Sequence, residues 1–333
     1  VEMLLNALVE YRIVEHLDEI KGAGHRAVHG GEIFTESVLV DDEVVDKFTS
    51  LNDLAPLHNP AGLIGYRAFK EALPNCVHTF VFDTAFHSTM TPDTYLYALP
   101  YEYYEKYQIR RYGFHGTSHK YVSQRCAELM GRKVEDMKII TCHLGNGASI
   151  TAVDGGRSIN TSMGFTPMAG VMMGTRCGDI DPAIVTFLQK KEGLSADAVE
   201  DILNKHSGML GVSGVSSDGR DVEDAAKEGN ERAILTESMY ANRVASYIGS
   251  YYVQLGGLDA IVFTGGIGEN DGNMRKRIID RVKVIGAEID DANNKGVRGI
   301  EKCLSSADSK VAVWLIPTNE ELMIARDAYR FVK

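Results

Sequence analysis

The sequence is poor in several features that would each mark a function class. It carries 35 Lys+Arg against 46 Asp+Glu, a formal net charge of -11. Without a basic excess there is little to displace counterions from a phosphate backbone, so no nucleic-acid partner is expected. Its five cysteines (Cys76, Cys126, Cys142, Cys177 and Cys303) are scattered, odd in number and form no C-x-x-C. That fits a reducing compartment, hence a cytoplasmic location, and not a disulfide scaffold. The ten histidines form no H-E-x-x-H or other zinc spacing. No apolar run approaches the ~18 residues of a membrane span. The N-terminal apolar residues are interrupted by Glu2, Glu10, Arg12 and Glu15, so neither a signal peptide nor a membrane partner is expected. Proline is also scarce, with 8 residues.

Glycine, by contrast, is abundant: 33 of 333 residues, against a norm of about 7%. Extra glycine without extra proline suggests tight backbone turns inside a folded protein. The length suggests two domains of roughly 100–200 residues each, large enough to bury a core without staples.

Hydrophobic periodicity predicts an amphipathic helix over 1–20, a strand ending in a glycine turn over 21–31, and a helix over 60–72. An apolar strand ends at Asp83. A helix runs from about His115 to Met130, followed by a buried strand and glycine loop over Met137–Gly147. Ala148–Ser162 alternates around Asp154-Gly155-Gly156, which predicts a hairpin. Helices follow at about 182–192, 195–206, 221–229 and 231–255. Leu258–Asn270 reads as strand, double-glycine turn and helix start. A last strand (KVAVWLIPTNE) precedes a helix over about 320–332. Alternating strands and helices indicate an α/β fold.

Four glycine loops follow strands: Gly30-Gly31, Gly145/Gly147, Gly155-Gly156 and Gly265-Gly266/Gly268. A strand, then glycines, then a helix start presents backbone N–H groups to an anion. None matches the P-loop or Rossmann pattern. An ordinary turn is the alternative for any single loop, but four together point to a phosphate or nucleotide ligand. Arg26 and Arg176 sit in glycine-rich segments, where a guanidinium fork suits a carboxylate or phosphate and a surface ion pair is the bland alternative. Asp83 ends its strand where ligands of α/β sheets bind, and suits a divalent cation, a proton-accepting role or a plain cap. His115, in Y-G-F-H-G-T-S-H, has a structural role as its alternative.

Seven stretches together, GHRAVHGG, FDTAFH, RRYGFHGTSHKYVS, HLGNGASI, TSMGFTPMAGVMMGTRCGDIDP, FTGGIGEN and PTNEELMIAR, resemble the acetokinase family in its own order and over nearly the whole chain. The resemblance implies two RNase H-like, actin-like domains around a cleft. Residues 1–84 with the helix 320–333 would form the first. Residues 85–319 would form the second, binding nucleotide and forming a homodimer. It implies reversible ATP-dependent phosphorylation of acetate to acetyl phosphate, with Mg²⁺ or Mn²⁺ as cofactor. Carried over by position, the catalytic residues would be Arg26, Asp83, His115 and Arg176, with Glu320 and Asp83 near the metal. Arg26, Val28, Leu57, His58, Phe114 and Pro167 would meet the acyl substrate. His143, Leu144, Gly145, Asn146 and Gly147 would meet the nucleotide, with Asp218, Gly219, Arg220, Gly265, Gly266, Ile267, Gly268 and Asn270.

Val28 narrows the implied acyl pocket, which favours acetate over propionate. A propionate or butyrate kinase, a sugar kinase and a non-catalytic nucleotide-binding module are the competing readings. Gly219 stands where many of the family carry a bulkier residue, which would leave less packing on the base, and Cys177 stands where serine is common. Nothing in Val1–Gly24 resembles the family's opening N-A-G-S-S-S-x-K segment. The expectation is therefore a chain lacking the opening strands of its first domain and with reduced activity or none.

Overall fold

The computed structural model describes residues 1–56 and 58–332; Leu57 and Lys333 lie outside the described residues. The chain divides into two compact units. The first comprises Val1–Ser88, Phe114–Tyr121 and Asn319–Lys333, and the second Thr89–Gly113 and Val122–Thr318.

The first unit is built on three strands: β1 (Gly22–Ala27), β2 (Val38–Leu39) and β3 (Val77–Phe82). Their order is β1-β3-β2, with β1 parallel and β2 antiparallel to β3. Strand β3 (VHTFVF) is buried over all but its first residue, as expected of a central strand covered on both faces. Phe80 and Phe82 enter a core with Phe34, Phe48, Leu51 and Leu63. Phe34 stacks on Phe82 at 4.5 Å between ring centroids. Each such buried side chain contributes about 1.5–3 kcal/mol, and those on β3 fix the strand end that carries Asp83. The helix Glu320–Tyr329 lies directly on β1, because a Cβ on Gly24 would meet Ile324 Cγ2 at 2.5 Å.

Inside this unit His25 and His78 face each other on paired strands, with Nε2 and Nδ1 2.9 Å apart. His78 Nε2 points at the Leu73 carbonyl at 3.2 Å, so it donates there and His78 Nδ1 accepts from His25. Burial first, and the neighbouring imidazole second, pull His25 down to about 4, so the pair is neutral at pH 7.

The expected helix over 1–20 is shorter in the structure. It spans Glu2–Glu10, followed by a single 3-10 turn at Leu17–Glu19. Arg12 adopts φ 55°, and the amides of Arg12 and Ile13 bond back to the carbonyls of Val9 and Leu8. This is a Schellman end whose left-handed position holds arginine in place of glycine, so the sequence offered no stop signal. The spacing of Leu5, Leu8, Leu17 and Ile20 has another cause: these residues pack with Leu73 and Cys76.

The second unit holds a six-stranded sheet in the order β6-β5-β4-β7-β9-β8. The strands are β4 (Lys138–Leu144), β5 (Ala148–Asp154), β6 (Arg157–Thr161), β7 (Ala260–Thr264), β8 (Lys302–Cys303) and β9 (Ala312–Leu315). Strands β4, β7 and β9 run parallel, and β5, β6 and β8 are antiparallel to their neighbours. The hairpin at Gly155-Gly156 forms as expected, both glycines having positive φ. The long helix Glu231–Leu255 buries Tyr240, Val244, Ile248 and Tyr251. Val244 and Ile248 therefore belong to this chain's own core, while Leu235 is exposed. The two units together are the expected mixed α/β architecture. Both glycine loops of interest follow the C-terminal ends of parallel strands, β4 and β7, where ligands of open α/β sheets bind.

Candidate active site

In the first unit the parallel pairing of β1 and β3 sets Arg26 opposite Val81 and Ala27 opposite Phe82. The Asp83 amide extends that ladder by donating to the Ala27 carbonyl at 2.9 Å. The two side chains consequently meet as a fork: Arg26 Nε donates to Asp83 Oδ1 at 3.0 Å and Nη2 to Oδ2 at 2.6 Å. Asp83 is 1% exposed, whereas the Arg26 side chain is half-exposed. Burial pushes the Asp83 carboxyl up and the Arg26 fork pulls it back. The same fork raises Arg26 further above its ordinary value. Arg26 Nη1 takes no part in the fork and, among the described residues, makes no hydrogen bond.

The segment carrying His115 is docked against Asp83. Gly116 N donates to the Asp83 carbonyl at 2.9 Å, and a Cβ on Gly116 would sit 2.3 Å from that oxygen. Only glycine allows this approach. His115 has φ 55°, a left-handed conformation uncommon for a residue with a Cβ, and such outliers cluster at functional sites. Phe114 is buried, and its carbonyl accepts from His87 Nε2 at 2.9 Å. Asn59 clamps the main chain of His29 through both amide atoms, at 3.1 and 3.2 Å. That fixes the residue after Val28, which is itself half-buried. His58 is exposed and close enough to Asp83 to influence its carboxyl electrostatically. Leu57, also expected at the acyl pocket, lies outside the described residues.

Glu320 begins the helix on β1. Its Oε1 is buried without a hydrogen-bond partner, and burial together with Asp83 raises its carboxyl. An orphaned buried carboxylate oxygen near a second carboxylate fits a divalent cation. Among the described residues no group of three or more His, Cys, Asp or Glu side chains could hold a metal. One or two carboxylates are the protein donors Mg²⁺ commonly takes, with water and phosphate filling its shell.

The second unit contains a cavity of about 640 Å³. Of the residues expected at the nucleotide, Gly145, Asn146, Asp218, Gly219, Arg220, Gly266, Ile267 and Asn270 line it. His143, Leu144, Gly147, Gly265 and Gly268 are not among its lining residues. Leu144 is a core side chain, and Gly265 (φ +76°) serves close packing, since a Cβ there would meet the Leu144 carbonyl at 2.9 Å. Asp218 caps the helix Gly219–Lys227 and forks with Arg220, at 3.0 Å to Nε and 2.6 Å to Nη2. Arg220 holds the Asp218 carboxyl down at about 2. A Cβ on Gly219 would touch Ile267 Cδ1 at an ordinary 3.5 Å, so the missing side chain leaves real space beside Ile267.

Arg176 lies on a loop fastened to this cavity. Gly174 N donates to the Asn146 carbonyl at 3.1 Å, and a Cβ on Gly174 would meet Asn146 Oδ1 at 2.0 Å. Arg176 Nη1 donates to the Pro167 carbonyl at 3.2 Å. Among the described residues no carboxylate lies within ion-pair distance of Arg176, and burial alone lowers its affinity for its proton. Pro167 thus has a visible role in aiming Arg176.

Other residues of the cavity were not anticipated from sequence: Ser217, Glu223, Asp271 and Arg298 also line it. Glu269 was quoted within FTGGIGEN but given no role. Its Oε1 accepts from Gly265 N at 2.9 Å, Thr318 N at 3.1 Å and Thr264 Oγ1 at 3.2 Å. It thereby ties the glycine turn to the segment entering the Glu320 helix. An acid four residues after a glycine turn was the available signal.

Comparison with known proteins identifies the family. The Acetokinase family matches residues 1–326. The acetate kinase of Bacillus subtilis is 56% identical over 333 residues, covering all of this chain and 84% of the relative. Acetate kinase 2 of Listeria monocytogenes is 57% identical over 327 residues, 98% of this chain and 82% of the relative. The crystal structure of Porphyromonas gingivalis acetate kinase superposes with a TM-score of 0.97 at 48% identity, over 100% of this chain and 84% of that one. A propionate kinase from Francisella tularensis superposes with a TM-score of 0.92 at 44% identity, over 99% of this chain and 83% of that one. The chain belongs to the acetokinase family.

Proposed function

We propose that the chain catalyses reversible phosphoryl transfer from ATP to acetate, giving acetyl phosphate and ADP. The observation that carries this reading is the docking of Gly174 on Asn146, which fixes the loop of Arg176, without a carboxylate partner among the described residues, to a residue that lines the glycine-loop cavity. Phosphoryl transfer needs little covalent help; it needs alignment and cations where charge spreads over the equatorial oxygens. Arg176 supplies one such cation and Arg26 another. Acetate is already ionised at neutral pH, so its oxygen needs no general base. Both oxygens of Asp83 are engaged by Arg26. Asp83 therefore orients Arg26, and each of its oxygens keeps a lone pair that could meet a cation; with an ionised acetate it has no proton to abstract. His115, fixed beside Asp83, donates a hydrogen bond to the transferring group.

Mg²⁺ or Mn²⁺, when bound, neutralises phosphate charge, with Glu320 and Asp83 as the residues to hold it. The first unit handles the acyl group through Arg26, Val28, His58 and Phe114. The second handles the nucleotide and carries the homodimer contact. We place the enzyme in the cytoplasm on the cysteine usage.

The test is the acceptor profile. Acyl phosphate formed from ATP with acetate, propionate or butyrate is trapped as the hydroxamate. Acetate should exceed propionate by about ten- to a hundredfold, the scale of one methylene in an apolar pocket. A preference for propionate would favour the second reading, raised by the Francisella relative. Formation of ADP without any trapped acyl phosphate would overturn the proposal.

A further inference from the structure

The nucleotide cavity has one wall that neither sequence motif nor ion pairing accounts for. Ile267 is the only aliphatic side chain among its lining residues, and Gly219 offers none. A purine has two faces, and in this lining Ile267 offers an apolar surface for one of them. Of the two arginines on the lining, Arg220 is committed to its fork with Asp218. Arg298 is exposed and, among the described residues, makes no hydrogen bond or ion pair through its side chain.

Yet the backbone that carries Arg298 is held tightly. Arg275, fully buried, donates Nη2 to the Val297 carbonyl at 2.9 Å and Nε to Asn294 Oδ1 at 2.9 Å. The same guanidinium donates Nη1 to the Gly268 carbonyl at 2.8 Å. On the other side of Arg298, Gly299 N donates to the Glu269 carbonyl at 3.3 Å. The loop is therefore pinned before and after Arg298 to residues 268 and 269, which directly follow Ile267. The fixed loop thus presents an uncommitted guanidinium at the cavity wall, where only the side chain itself remains to be ordered by a ligand. That guanidinium also stands near a second one, Arg275, which adds charge repulsion.

We propose that Arg298 is a nucleotide-contacting residue that lays its planar guanidinium on the adenosine end of the ligand, opposite Ile267. The inference rests on the reading that this cavity holds ATP or ADP. A flat, weakly hydrated cation stacks on an aromatic base as an ammonium does not.

The experiment measures ADP and AMP affinities by calorimetry for the parent chain, Arg298→Ala and Arg298→Lys. Arg298→Ala should weaken ADP and AMP by the same factor, about three- to tenfold for a stacked guanidinium. Arg298→Lys should be as weak as Arg298→Ala. The melting temperature without ligand should stay that of the parent, because the side chain is exposed. Unchanged ADP affinity in Arg298→Ala overturns the contact. A loss that grows from AMP to ADP, or full affinity in Arg298→Lys, overturns the stacked adenosine placement in favour of a phosphate contact. If the parent chain binds neither nucleotide, the reading of the cavity falls and the inference with it.

Discussion

Arg176→Ala is expected to lower kcat for acetyl phosphate formation by about a thousandfold, with a small change in the KM for ATP. Removing one preorganised charge donor from a water-poor site costs about 10²–10³ in rate, and a cation on a transferring phosphoryl group about 10³–10⁵. A thousandfold corresponds to about 4 kcal/mol of transition-state stabilisation. The structure explains why the loss should fall on kcat. Arg176 has no carboxylate partner among the described residues and is held only by the Pro167 carbonyl and the Met173 sulfur. Its remaining donors are uncommitted, so its charge is available to a group that appears during reaction. Arg176→Lys should recover little of the rate, since an ammonium cannot keep the Pro167 bond and a bidentate contact together. The hydroxamate-trap assay at saturating ATP and acetate measures this. A loss below tenfold in kcat would remove Arg176 from the transition state.

The second large effect should come from a residue with no side chain. Gly116→Val places a Cβ 2.3 Å from the Asp83 carbonyl oxygen and 3.0 Å from Phe86 Cβ, both far inside contact distance. The first obstacle is backbone and cannot swing aside. The His115 segment must move off Asp83, by an ångström or more, and lose the 2.9 Å bond from Gly116 N. A displacement of about 1 Å at a reacting centre costs on the order of 10² in rate. We therefore expect kcat to fall about a hundredfold and stability by about 1–3 kcal/mol, the usual cost of overpacking. ADP affinity should remain that of the parent chain, because the cavity proposed for the nucleotide belongs to the other unit. Equal losses in ADP binding and kcat would indicate general misfolding instead.

Much of the fold was legible because its pieces are local. Apolar runs of five to seven residues ending in Asp83, Gly145 and Gly265 gave β3, β4 and β7, and the Gly155-Gly156 turn gave its hairpin. The helix Asp42–Ser50 was passed over, although Asp41 caps it through Val44 N at 2.8 Å, a signal that D-D-E carries in sequence. The end of the first helix was hidden, since Arg12 occupies a position that normally announces itself with glycine. At the site, residue types were legible but their pairing was not. The fork between Arg26 and Asp83 depends on a parallel register across 57 residues, which no local pattern encodes. The positive φ of His115 is likewise a product of packing, set by the approach of Gly116 to Asp83. The bond from Thr318 N to Glu269 and the place of Arg298 on the cavity lining both join segments distant in sequence, which no periodic pattern records.

The proposed reaction is one direct transfer, with the acetate oxygen attacking phosphorus and the arginines only neutralising charge. The most direct measurement is the stereochemical course at phosphorus, using ATP made chiral at the γ-position with oxygen isotopes and analysing the acetyl phosphate formed. A single in-line displacement predicts inversion of configuration. Net retention would require a phosphorylated enzyme intermediate and would contradict the roles assigned to Asp83, His115 and Arg176.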